Sequence, residues 1–124
     1  MGRLGCAIGG AAFLILAVAL GAGVAQAHAV LVESAPAANS TVTGPDVSIR
    51  LRFNVRIEAK RSGISLILAD KSTQAVEMVP ADSPDTLTAV AKGLKPGAYK
   101  ISWRVLATDG HITRGEVPFT VKGA

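Results

Sequence analysis

The chain has 124 residues, of which 49% are apolar, 18% charged and 4% aromatic, with a formal net charge of +4. That length holds one ordinary domain and disfavours a large buried active site or a multi-span membrane protein, while the recurring apolar alternation excludes wholesale disorder. The basic residues Arg50, Arg52, Lys60, Arg61 and Lys71 are dispersed. With few aromatic rings to stack bases, they make a solvated face and no nucleic-acid surface.

The first element is a leader. Residues 1–27 open with Arg3, continue through the apolar run 11–20 and end in Ala25-Gln26-Ala27. This is the basic start, apolar centre and small-residue exit of an export signal, so cleavage is expected after Ala27. A retained membrane anchor is the competing reading. Gly21, Gly23 and the lack of basic residues after the run speak against it. Cleavage leaves a 97-residue domain, 28–124, that begins at His28. It removes Cys6, the sole cysteine, and leaves 12 basic against 9 acidic residues. Disulfides and cysteine-based metal sites are thereby excluded from the exported chain.

After residue 27 no helical stripe appears, and period-two alternation takes over. The spacing predicts strands over 30–32, 47–53, 64–69, 74–79, 86–91, 99–105 and 117–121. Residues 47–53 are the clearest: Val47, Ile49, Leu51 and Phe53 alternate with Ser48, Arg50 and Arg52. Segments such as Gly44-Pro45-Asp46, Asp82-Ser83-Pro84-Asp85 and Lys95-Pro96-Gly97 carry turn chemistry between them. Pro118 inside the last strand predicts a sheet edge or a bulge. About seven short strands without a crossover helix argue for an all-β, Ig-like antiparallel sandwich or Greek-key barrel. Trp103, Phe53 and Phe119 read as core anchors, and Tyr99 as a ring whose hydroxyl reaches a partner at a sheet end.

Two histidines remain, His28 and His111. Taken alone, His111 reads as an exposed loop residue. His28 is different, because a terminal histidine offers its α-amine and its imidazole Nδ1 to one metal ion. The amine has an ordinary pKa of about 7.7–8.0, so a metal can displace its proton near neutrality. In Asp109-Gly110-His111 the carboxylate and the imidazole lie two residues apart, and Gly110 lets the loop bend. The predicted ligand set is therefore His28, Asp109 and His111. Nitrogen-rich ligation completed by oxygen suits one Cu(II) ion best. Zinc prefers a tetrahedron, and calcium and magnesium want more oxygens. Met78 is the sole methionine after the leader, so no soft Cu(I) cluster is present.

These segments resemble the CopC family of bacterial copper-resistance proteins. The opening residues from His28 to Ser40, the strand Ile49-Arg50-Leu51-Arg52-Phe53 and the long block from Leu94 to His111 carry the likeness, followed by the strand from Gly115 to Val121. The resemblance implies a periplasmic Cu(II) carrier or buffer with an Ig-like β-fold. It also implies copper held by His28, Asp109 and His111, and hand-over to a CopD-type inner-membrane protein. No small-molecule substrate and no catalysis are expected, and a monomer is. Two departures stand out. The family's Phe-Ser-Glu segment reads Phe53-Asn54-Val55, so a glutamate near the metal in some members is absent, and the methionine-rich segment of some members is missing. Two other readings stay open. One is a metal-free Ig-like binding module. The other is a copper monooxygenase-like enzyme, which would need a broader aromatic surface than one Trp and one Tyr supply.

Overall fold

A computed structural model describes residues 28–123; the predicted leader, with Cys6, lies outside the described residues. Nine strands follow in order: β1 (Leu31–Ala35), β2 (Ser40–Thr43), β3 (Val47–Phe53), β4 (Gly63–Leu68), β5 (Thr73–Ala75), β6 (Glu77–Val79), β7 (Thr86–Ala91), β8 (Gly97–Leu106) and β9 (Ile112–Lys122). A 3-10 turn at Ala59–Arg61 interrupts the connection from β3 to β4.

The alternation read from sequence is the alternation found. Val47, Ile49, Leu51 and Phe53 of β3 all face inward, as do Tyr99, Ile101, Trp103 and Val105 of β8. The strands form a four-stranded sheet in the order β1-β3-β7-β6 and a five-stranded sheet in the order β2-β9-β8-β4-β5. Their inner faces enclose one apolar core that includes Leu51, Phe53, Leu66, Ile101, Val105 and Phe119, each at most 2% exposed. Burying each such side chain contributes about 1.5–3 kcal/mol. The exposed pairs of Glu33 with Arg50 and Arg52, both at 3.4 Å, contribute about 1 kcal/mol or less. Core burial therefore holds the two sheets.

Two aromatic contacts shape that core. The Trp103 ring meets Phe53 edge to face at 5.0 Å, and Tyr99 stacks on Phe119 at 5.7 Å. The Tyr99 hydroxyl donates to the Lys95 carbonyl at 2.7 Å, the partner expected of it. Trp103 also covers Gly115, its cross-strand partner in β9. A Cβ at Gly115 would collide with the indole Cζ2 and approach Cε2 to 2.6 Å.

Two differences from the sequence reading have clear causes. The strand predicted over 74–79 is two strands, because the chain changes sheets at Val76: β5 pairs with β4, and β6 pairs with β7. The short β2, covered by none of the predicted strands, pairs in parallel with the end of β9, Ser40 opposite Phe119. Pro118 sits where that pairing begins. β9 is an inner strand from Phe119 onward, while β2 leaves its earlier residues uncovered on that side. The Pro118 carbonyl accepts from the Asn39 N–H at 2.7 Å.

Candidate metal centre

The predicted ligands lie at one end of the sandwich, on two different elements. His28 precedes β1, and Asp109 and His111 occupy the loop from β8 to β9. The structure brings the two imidazoles together: their ring centroids are 5.6 Å apart, edge to face at 68°.

The N-terminal arm is fixed by burial and by hydrogen bonds. Ala29 is 1% exposed, so its methyl is part of the core. The Val30 N–H donates to Asn54 Oδ1 at 2.7 Å, and the Asn54 N–H donates to the Val30 carbonyl at 3.0 Å. Pairing of β1 with β3 then begins at Leu31 opposite Phe53.

The hairpin tip is closed by its own backbone. Leu106 and Ile112 form its last rung. The Ala107 N–H donates to the His111 carbonyl, and the Gly110 N–H to the Ala107 carbonyl, both at 2.9 Å. Gly110 has φ +92°, a left-handed conformation that glycine adopts without a Cβ clash. Asp109 caps the turn: its Oδ1 accepts from the His111 N–H at 3.0 Å. Its Oδ2 lies 3.2 Å from His111 Nδ1. The His111 N–H bond holds the Asp109 carboxyl below the ordinary carboxylate range. Desolvation opposes this, and the side-chain bond and charge of His111, then the charge of His28, reinforce it.

One short segment carries both halves. Residues 54–58 leave β3 and run between arm and hairpin. Asn54 holds the arm, the Arg56 carbonyl accepts from the Thr108 N–H at 3.4 Å, Ile57 bridges to Ala107, and the Glu58 N–H donates to the Leu106 carbonyl at 2.8 Å. Sequence reading noted Asn54 only as the residue that stands where the family's Phe-Ser-Glu segment has serine, next to the Val55 that replaces the glutamate. Its role rests on a contact with a residue 24 positions away, for which no local signal exists.

Donor geometry is only partly arranged for a metal. Among the described residues, no three His, Cys, Asp or Glu side chains converge on one point. His111 Nδ1 faces Asp109, leaving Nε2 as the outward donor. The ring spacing nevertheless fits a shared ion. With metal–nitrogen bonds of about 2.0 Å, two imidazoles on one ion have centroids about 4.5 Å apart when adjacent and about 6.4 Å apart when opposite. The observed 5.6 Å falls between these limits. A cleft of about 70 Å³, lined by Val55, Ala107, Thr108 and Asp109, opens beside the carboxylate. The larger groove of about 500 Å³, around Tyr99, Pro118 and Phe119, lies toward the other end of β8.

Comparison with known proteins gives a consistent picture. The CopC domain family matches residues 31–122. Copper resistance protein C of Pseudomonas syringae pv. tomato is 35% identical over 106 residues, covering 79% of this chain and 83% of that protein. The crystal structure of CopC from Methylosinus trichosporium OB3b aligns with a TM-score of 0.69 at 34% identity, over 77% of this chain and 95% of that one. PcoC, a methionine-rich copper resistance protein from Escherichia coli, aligns with a TM-score of 0.68 at 31% identity, over 77% of this chain and 100% of that one.

Proposed function

Since the chain belongs to the CopC family, we propose that its exported form is a periplasmic Cu(II) carrier or buffer serving copper homeostasis and resistance. One observation carries the reading: two histidines 83 positions apart in sequence meet at 5.6 Å, with the Asp109 carboxyl against one of them. Removal of residues 1–27 would free the His28 α-amine. Amine and Nδ1 then chelate one copper ion through a six-membered ring. His111 Nε2 supplies the third nitrogen, with its ring oriented by Asp109 through Nδ1. Each oxygen of Asp109 keeps a second lone pair, so the carboxylate has the capacity to serve as the fourth donor once the rings close on the ion. Three nitrogens and an oxygen in a tetragonal plane match Cu(II).

No methionine cluster backs this site. Met78 is the sole methionine among the described residues, and it lies in β6. A single Cu(II) ion is therefore proposed, with release favoured by reduction. The protein works by holding and passing copper and carries out no catalysis. Its recipient is a CopD-type inner-membrane protein, to which it presents the hairpin end as a monomer.

The test is a Cu(II) titration of two chains, one beginning at His28 and one carrying a single extra residue ahead of it. The extra residue turns the amine into an amide and should weaken binding at least tenfold, about 1.4 kcal/mol, and alter the EPR spectrum. Equal affinities would end the proposal.

A further inference from the structure

We propose that Asn54 is a positioning residue that sets the N-terminal ligand in place before copper arrives; the inference rests on the copper reading above. The β1–β3 ladder cannot do this alone. Its last pair is Leu31 opposite Phe53, beyond a register shift between Leu31 and Glu33, so strand pairing does not extend to residues 28–30. Beyond Phe53 the ladder is replaced by a two-bond ring in which a side chain takes part: Val30 N–H to Asn54 Oδ1 at 2.7 Å, and Asn54 N–H to the Val30 carbonyl at 3.0 Å.

Asparagine suits this place for a specific reason. Its carboxamide oxygen does what its own main-chain carbonyl would do in a continued antiparallel ladder, and it accepts without adding charge. Serine reaches less far, and an apolar side chain leaves the Val30 N–H to water. Ala29, 1% exposed, fixes the residue between. The arm is thus pinned at 29 and 30, and only His28 projects from it.

The consequence is pre-organisation. An untethered arm would have to be ordered as the metal binds, and that entropy would weaken affinity. Asn54 removes part of the penalty without touching the ion. Its neighbours share the division of labour, because residues 56–58 hold the hairpin tip through backbone hydrogen bonds, with Ile57 and Ala107 both buried in the core.

The experiment uses the chain beginning at His28, with the variants Asn54→Ala, Asn54→Leu and Asn54→Asp. Cu(II) affinity and hydrogen exchange at the Val30 amide are measured on each, with near-UV circular dichroism of Trp103 reporting the packing. Losing one such bond should weaken copper binding by about threefold to tenfold in the Ala and Leu variants. Val30 exchange should accelerate in both while the Trp103 signal is unchanged. Asn54→Asp keeps an acceptor and should retain Val30 protection and bind copper at least as tightly as wild type. Wild-type affinity in the Ala and Leu variants, or an unaltered Val30 amide, overturns the proposal alone. A wild-type chain that binds no copper overturns the copper reading and this proposal with it.

Discussion

Replacing Gly115 by alanine should destabilise the fold through one collision. Gly115 has no left-handed backbone, so alanine meets no conformational strain there; the difficulty is the Trp103 indole. The new Cβ would strike Cζ2, approach Cε2 to 2.6 Å and reach Nε1 at 3.0 Å. The ring cannot swing away freely, because Phe53 lies against it at 5.0 Å and Trp103 is only 7% exposed. Overpacking of a closed core costs about 1–3 kcal/mol. For a domain of this size each kcal/mol lowers the melting temperature by about 4–8 °C, so a drop of roughly 8–16 °C is expected for a cost near the middle of the range. Trp103 is the only tryptophan in the chain, so its fluorescence and near-UV signal follow this site without interference. Thermal and urea unfolding would be read by both where Trp103 is present, and by far-UV circular dichroism in all four chains of the cycle. The same substitution in a Trp103→Phe background should cost far less, and the double-mutant cycle should show coupling of about 1 kcal/mol or more. A Gly115→Ala chain within about 0.5 kcal/mol of wild type, or an equal cost in both backgrounds, would refute the steric argument.

Further outcomes follow from the loops. Gly110→Ala forces a side chain into φ +92° and should cost about 1–2 kcal/mol, measured by urea unfolding. It should also weaken Cu(II) binding, since the turn that presents His111 is strained. Asp85 accepts from the Ser83 and Thr86 hydroxyls, at 2.7 and 2.8 Å, and the Ser83 bond first, then Thr86, hold its carboxyl below the ordinary value. Its contribution is therefore present above the unfolded pKa and is lost as pH falls through the folded one. The stability advantage of wild type over Asp85→Asn should be full near neutrality and shrink below about pH 4; a difference that stays constant down to pH 3 contradicts it.

Much of the fold was legible because burial on one face imposes period two. Val47-Ser48-Ile49-Arg50-Leu51 could be read in no other way. What escaped was pairing between distant segments. In β2 one of four residues, Val42, packs against the core, and its partner lies at the far end of the chain. Along 74–79 the run is apolar-rich with a single charge at Glu77, and nothing in it tells which sheet each half joins. The candidate site shows the same division. Asp109-Gly110-His111 is a local pattern, visible as such, and the importance of His28 came from the expected cleavage point. That the two histidines meet, and that Asn54 to Glu58 link them, depends on how β3 leaves its sheet. No spacing rule reports that.

The 54–58 segment is also the point at which the chain passes from one sheet to the other, from β3 to β4. His28 rides on the first layer and His111 on the second, so the imidazole pair straddles the seam. Sliding of one layer on the other would ordinarily pull such a pair apart. Here the crossing strap grips both sides, and the gap between the rings is governed by five residues of tether instead of by the breadth of the whole interface.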